Sequence, residues 1–459
     1  MTEQCVALGY FGDARRAATG TLLLDRAMAT GSLVIRKLGP ARGEELAIHR
    51  FLSAPSVTCT EMFQTLAKRT RAAAAGRRIV VAQDTTEINF SGRQANRRDL
   101  DPAGDGVSAG FFIHPLVAID SETEAVLGLL DAHIWTREGK VEASSKRRFE
   151  DKESVRWLRG AERADELLTQ AASLVVVVGD RENDIYGCFA RRPAGAELIV
   201  RAAQDRILAE GTSLFDIPAT WPELTRMPVK VAPRRVGDPG RIATVALRAG
   251  PVTIAKPDNG FARTDPGTVA MTLVQAKEID PPEGENPLRW RLLTTLAVDG
   301  AGAAGEIVRL YRLRWRIEEV FRALKSDGMR LEETQVHEAG RLFKLAVVGL
   351  AAACRTIQLV DARDGSPRPA SDVIDPELLP AAAVIGKTLE GTTERQKNPH
   401  PLHSLAWMAW IVARLGGWNC YYKPPGPKTM RAGWVQLETM VAGFIIAANM
   451  KAETNVRIP

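Results

Sequence analysis

A chain of 459 residues, 45% hydrophobic and 25% charged, has the composition of an ordinary globular protein and is long enough for two or three domains with hydrophobic cores. The formal net charge of +6 is compatible with a polyanionic partner without requiring one. All of it lies early: up to Arg78 there are 12 Lys and Arg against 6 Asp and Glu, so the rest of the chain is near neutral.

Residues 1 to about 78 read as helices with basic punctuation: "ARRAATGTLLLDRAMAT", "EELAIHRFL" and "SVTCTEMFQTLAKRTRAAAAGRR". In the third, Ser56 or Thr58 is a candidate N-cap and the basic tail marks the end. Strand signals begin at "RRIVVAQDTTEINF" and continue as a hairpin, "FFIHPLVAI" and "AVLGLLDAHIW" around the turn "DSET". A charged helix, "SSKRRFEDKESVRWLRGAERADELLTQAA", leads into "SLVVVVGDREND", a β-branched run of the kind buried on both sheet faces. A short helix, "DIYGCFARR", and a strand, "ELIVRA", follow. Residues from about 205 to 300 are rich in Pro, Gly and short alternating segments, as in an all-β insertion. Helix returns at "AAGEIVRLYRLRWRIEEVFRALKSDGM", with Gly328 after Asp327 as its stop. "GRLFKLAVVGLAAACRTIQLV" is a second, more apolar helix, the Pro-rich stretch at about 366–380 reads as a linker, and the C-terminal part is helical. Strand, hairpin, helix, strand, helix, strand, insertion and helix make an α/β chain. That order points to an α/β/α sheet of ribonuclease-H type.

The five cysteines, at 5, 59, 188, 354 and 420, include no CxxC pair, and the six histidines show no zinc spacing with them. His400 and His403 form a lone HxxH in a Pro-rich loop, read as incidental. This pattern points to a reducing cytoplasm. No apolar signal-peptide core opens the chain. The longest apolar run, "LAVVGLAAAC", is too short to span a bilayer.

Asp84 closes the strand "IVVAQD" and Asp180 closes "LVVVVGD". Both stand where a buried strand reaches the sheet edge, the place where α/β sheets put chemistry. Singly, each has an equally good structural reading: Asp84 opens a turn, and Asp180 caps the helix after it. The segment "YRLRWRIEEVFRALK", residues 311–325, is more informative. At roughly 100° per residue, Ile307, Leu310, Leu313, Ile317, Val320, Phe321 and Leu324 form an apolar arc about 100° wide. Tyr311, Arg314, Glu318 and Lys325 fall within about 60° of one another beside that arc. Arg309, Arg312, Arg316 and Glu319 lie further round, toward solvent. An i,i+4 pair between Arg314 and Glu318 on a solvated face explains two of the four residues and leaves Tyr311 and Lys325 unexplained. Two strand-end aspartates and a helix glutamate would instead suit hard divalent cations. Two such ions about 3.5–4 Å apart clamp both oxygens of an in-line phosphoryl displacement, with Tyr, Arg and Lys beside them to hold phosphates.

The spacing Tyr-x2-Arg-x3-Glu-x6-Lys, filled by Tyr311, Arg314, Glu318 and Lys325, resembles the YREK signature of DDE transposases of the insertion-sequence-four type, and "RWRIEE" resembles its surroundings. "VAQDTTEINF" and "VVGDRENDIY" resemble the family segments that carry the two catalytic aspartates. "GDARR" and "AIHRFLSAPSV" resemble the N-terminal DNA-binding region, and "SLAWMAWIVARLGGW" the C-terminal region that pairs protomers. A dozen or so residues precede "GDARR", fewer than the family usually carries, which bears on end recognition more than on catalysis.

The resemblance implies a helical DNA-binding domain at 1–70. It implies a ribonuclease-H-like catalytic domain at 71–366, with its β insertion at about 205–300, and a helical dimerisation domain at 367–459. It implies Asp84, Asp180 and Glu318 as catalytic metal ligands for two Mg2+ ions, replaceable by Mn2+. Tyr311, Arg314 and Lys325 would be phosphate contacts, and Trp290 would stack on a base flipped from the duplex; the residue-level alternative for Trp290 is a core position on a strand. Trp315 could probe the same distorted region but reads rather as a packing residue, and Arg15, Arg16, Arg36 and Lys37 are candidate phosphate contacts. The implied activity is cut-and-paste movement of double-stranded DNA by a homodimer in the cytoplasm, with no membrane. The competing readings are a ribonuclease-H-type nuclease without strand transfer, and a non-catalytic DNA-binding inhibitor, whose signature would be loss of one acidic residue.

Overall fold

A computed structural model of the protein describes residues 7–90, 97–104, 106–137, 147–231, 240–258, 260–325, 328–374 and 376–455. Four helices open the chain: α1 (Ala14–Thr30), α2 (Ile35–Leu38), α3 (Arg42–Ser53) and α4 (Cys59–Ala73). Thr58 is the N-cap of α4, its hydroxyl accepting from the Glu61 N–H at 3.2 Å, a cap that stabilises by about 1 kcal/mol. Then come β1 (Arg78–Gln83), β2 (Thr86–Phe90), β3 (Ala109–Asp120), β4 (Val126–Trp135), α5 (Arg156–Leu168), β5 (Leu174–Gly179), α6 (Tyr186–Ala190) and β6 (Glu197–Arg201). The expected charged helix is thus shorter. Two 3-10 turns at Phe149–Asp151 and Glu153–Val155 precede it, and its expected start at residues 144–146 lies outside the described residues.

The described strands form one ten-stranded mixed sheet. β4, β3 and β1 are antiparallel neighbours, and β1, β5 and β6 run parallel. Alternate residues of the central strands feed two cores. Val80, Ala82, Val176 and Val178 join the larger one, and Ile79, Val81, Val175 and Val177 the one under α5 and α6, as the two-residue period of a strand buried on both faces requires. Four further strands, β7 (Thr225–Val231), β8 (Arg241–Ala255), β9 (Thr268–Glu278) and β10 (Arg289–Thr294), form an antiparallel meander. β10 pairs with β6, so the β-rich insertion extends the central sheet.

Two helices then cross the larger core: α7 (Ala301–Arg312) and α8 (Arg316–Leu324), joined by a 3-10 turn at Leu313–Trp315. α8 ends at Leu324, ahead of the expected stop. Gly328 acts by close approach: a Cβ there would collide with the Ala323 carbonyl, where the chain folds back and the Met329 N–H bonds that same oxygen at 2.7 Å. α9 (Ala339–Ala362), 24 residues long, is apolar and long enough to cross a membrane by length and composition, yet 83% of its most apolar stretch is buried inside the protein, so it implies no membrane span.

The 366–380 stretch is anchored. The Arg368 guanidinium donates to the Val126 and Leu127 carbonyls, and the Ala370 N–H bonds the His403 carbonyl. α10 (Leu379–Leu389), α11 (Leu405–Leu415) and α12 (Pro427–Asn455) complete the chain. α12 lies against α1, and both pack on α9. Gly31, at φ 56, ends α1 in the left-handed conformation that glycine adopts without strain.

Where α12 meets α1, burial first and then Asp25 push the Glu438 carboxyl up to about 7, while the Trp434 indole N–H, at 3.1 Å, and Arg26 pull it down. The folded protein therefore binds this proton more tightly than the unfolded chain, and stability at this site falls as pH rises from about 4.5 to about 7. Glu438→Gln should raise the melting temperature by a few degrees at pH 8 and change it little at pH 5. Equal shifts at both pH values in a thermal melt would contradict this.

Candidate active site

The register of three parallel strands builds a row of charges. Ala82 lies opposite Val178, so two residues further on Asp84 comes level with Asp180. Gly179 lies opposite Val200, which brings Asp180 level with Arg201. Neighbouring strands are about 4.8 Å apart. Asp84 interrupts a single strand run, since Gln83 faces Leu116 and Thr86 faces Ile113 in the same register. The break falls opposite Pro115, which has no N–H to give. Asp84 and Asp180 share the parity of Ala82 and Val178, so both project toward the face covered by α7 and α8.

Arg314 meets them there. Its Nη1 donates to Asp84 Oδ2 at 2.6 Å, and its Nη2 lies 3.4 Å from Asp180 Oδ2. No ion pair joins it to Glu318 among the described contacts, so the i,i+4 surface reading fails. Arg314 is only 4% exposed, and its Nε is buried without a partner. The 3-10 turn packs against β1, and Tyr311, one turn earlier, points its hydroxyl at Asp180 Oδ1, 3.4 Å away. Asp180 precedes a 3-10 turn at Arg181–Asn183, but its side chain makes no capping bond, so the capping explanation for its carboxylate does not hold. Asp184, four residues on, is the structural acid of this segment. It is buried, ion-paired to Arg206 at 2.5 Å, and accepts the Ala203 and Gln204 N–H groups.

The charges shift one another. Burial pushes the Asp84 carboxyl up to about 6. Arg314 and the Thr85 N–H pull it down, and Glu318 and Asp180 push it up again. Burial and the charge of Asp180 raise the Tyr311 phenol above its ordinary value, so it remains a donor, although Arg314 and Arg201 oppose the shift. Burial acts to lower the Arg314 value, but Asp180, Tyr311, Asp84 and Glu318 outweigh it. Glu318, half-buried, is thus within electrostatic reach of Asp84 and Arg314. Lys325, the C-cap of α8, stands roughly 10 Å further along the helix.

Trp290 is 6% exposed and meets the Tyr311 ring edge-on, with centroids 5.4 Å apart. It occupies a core position on β10, and a base reaches it only if the ring is uncovered. Trp315, expected in the packing, is 49% exposed beside the Arg314 guanidinium. Arg316, expected on the solvent side, bonds Glu319 and both oxygens of Asp361 on α9, the latter at 2.5 and 2.6 Å. Arg309 bonds Glu306 and the Ser121 carbonyl. The helical angle describes one helix and is blind to neighbours that cover its polar flank. Arg15, Arg36 and Lys37 are exposed, and Arg16 donates to the Phe11 carbonyl. Arg201 escaped the sequence reading because its place follows from strand register alone.

The donors present are carboxylates, the hard oxygen ligands that Mg2+ and Mn2+ take. Among the described residues no three acidic, His or Cys side chains converge as ligands would. The oxygen donors of Asp84, Asp180 and Glu318 are of the type a divalent cation takes, and the Arg314 guanidinium lies between the two aspartates. Arg314→Gln leaves those acids uncompensated. Since they are partly exposed, the loss should be about 2 kcal/mol, read by urea unfolding in chelator; a change below about 0.5 kcal/mol would contradict it.

Residues 195–354, about a third of the chain, match the family model of the transposase DDE domain. The match runs from β6 through the β-rich region to α9. It contains Trp290, Tyr311, Arg314, Glu318 and Lys325, and leaves Asp84 and Asp180 upstream. This match supports a DDE transposase, an enzyme that acts on DNA.

Proposed function

We propose that the protein is a cut-and-paste DNA transposase of the insertion-sequence-four type, working through Asp84, Asp180 and Glu318. The observation that carries the reading is the cross-bridge from the "YRLRWRIEE" segment to both strand-end aspartates. The segment resembling a YREK signature and the two segments resembling aspartate motifs come from distant parts of the chain and meet at one point. The strand order β4-β3-β1-β5-β6, with its first three strands antiparallel and its last three parallel, supports a ribonuclease-H-like core.

Asp84, Asp180 and Glu318 would hold two Mg2+ ions, or Mn2+, which activate an attacking water or sugar hydroxyl and stabilise in-line phosphoryl transfer. Arg314, once free of the aspartates, is a fork-shaped donor for a transposon-end phosphate. Tyr311 donates its phenolic proton to the same backbone, and Lys325 adds a point charge further along the helix. Water breaks one strand at the transposon end and leaves a 3′-hydroxyl. That hydroxyl attacks the opposite strand to form a hairpin, the hairpin is reopened by water, and the 3′-hydroxyl attacks target DNA. Trp290, uncovered in this step, would stack on the flipped base. Residues 1–70 would bind the ends and residues 367–459 would pair two protomers.

The test is incubation with duplex carrying the inverted repeats that flank the reading frame, with Mg2+ or Mn2+. Nicked, hairpin and joined products are expected, and Asp84→Asn, Asp180→Asn and Glu318→Gln should each lower their formation by orders of magnitude. Cleavage without joined products would favour the nuclease reading. Binding without cleavage would favour the non-catalytic one.

A further inference from the structure

We propose that Arg156 is a positioning residue that ties the loop carrying Asp84 to the loop carrying Asp180 and so sets the spacing of the two carboxylates. The inference rests on the reading of those aspartates as metal ligands. Arg156 is the first residue of α5, outside every motif discussed above. Its side chain is 11% exposed, and its guanidinium carbon lies 5.5 Å from the ring centroids of both Trp135 and Trp157, within cation–π range.

One arm reaches each loop. Nε donates to Thr85 Oγ1 at 3.0 Å, and Nη2 donates to Glu182 Oε2 at 2.8 Å. Thr85 follows Asp84 directly, and its N–H bonds Asp84 Oδ1 at 2.8 Å. Glu182 lies in the 3-10 turn Arg181–Asn183 that follows Asp180, closed by the Asn183 N–H on the Asp180 carbonyl at 2.9 Å.

Behind Thr85 the donors and acceptors run in one direction. The Trp157 carbonyl can only accept, so Gln83 gives it Nε2, at 3.3 Å, and turns Oε1 to His114 Nε2, 3.1 Å away, which must donate. Burial holds the imidazole neutral, so its Nδ1 accepts the Thr85 hydroxyl proton at 2.9 Å while the same hydroxyl accepts from Arg156. Each group has one role left to it, so the chain holds the Thr85 side chain in a single orientation. Residues 83, 85 and 114 thereby brace Asp84 from the strand side, and Arg156 connects the brace to the neighbouring loop. Lysine cannot replace it, because a single ammonium does not fork to two acceptors in fixed directions.

The test uses the full chain with Arg156→Lys, Glu182→Gln, Thr85→Ser and Thr85→Val. Mn2+ binding is measured by calorimetry without DNA, next to thermal melts and cleavage kinetics. Arg156→Lys should weaken Mn2+ binding and lower kcat by about ten- to a hundred-fold, with KM for the DNA end and the melting temperature little changed. Thr85→Ser should behave as the native protein and Thr85→Val as Arg156→Lys. Glu182 is 66% exposed, so Glu182→Gln keeps the test open if an Arg156 variant does not fold; it should weaken Mn2+ binding several-fold. Native Mn2+ binding and kcat in Arg156→Lys, or in both Glu182→Gln and Thr85→Val, would overturn the proposal. Asp84→Asn separates the two failures: if it too binds Mn2+ and cleaves as the native protein, the metal-ligand reading is what fails.

Discussion

Two carboxylates brought level on adjacent parallel strands repel unless a cation stands between them. At about 5 Å and an effective dielectric near 20 that repulsion is roughly 3 kcal/mol. Arg314 relieves it, and the packing of α7, α8 and α9 keeps it there. Its own helix cannot do so alone, since residue 314 lies in a tightened 3-10 turn between α7 and α8. The apolar side chains of Leu310, Leu313 and Ile317 seat that turn on the core above β1. On the other flank Arg316 locks α8 to Asp361 of α9. The long buried helix α9 is therefore part of the machinery that holds the guanidinium over the sheet edge.

The same bridge offsets the repulsion between Asp84 and Asp180 within the chain itself. A guanidinium is a fixed fork of donors, and it can exchange carboxylate partners for phosphate ones without changing its chemistry. Arg314, with Nε already lacking an acceptor, is suited to that exchange. On the proposed reading, bonding the aspartates and bonding a phosphate are two states of one side chain. The divalent cations and the DNA would each favour the second state.

Much of this was legible in the sequence where the signal is local. "IVVAQD" and "LVVVVGD" announce buried strands that end in acids, and the angular position of Arg314 sets it at the margin of the buried face. What was not legible depends on distant partners. Register, which aligns Asp84 with Asp180 and Arg201, is a property of pairs of strands. β10 reaches β6 by antiparallel pairing, so the region that reads as a separate β insertion continues the central sheet. Arg316 has the helical angle of a solvent residue and is covered by α9. Trp290 alternates as a strand residue should, which left stacking and core packing equally open; the ring is in the core. His114 and Thr85 carry no motif of their own, and their importance follows from a hydrogen-bond direction that only three dimensions supply.

If Asp84 and Asp180 hold metal as proposed, the Arg314 guanidinium between them must move aside when metal and DNA bind. A crystal structure with Mn2+ and end DNA, with anomalous scattering measured at the manganese edge, tests it most directly. The expected result is a manganese peak at the Asp84, Asp180 and Glu318 carboxylates and the Arg314 guanidinium moved to a DNA phosphate. Manganese bound elsewhere, or Arg314 still bonded to both aspartates with DNA in place, would contradict it.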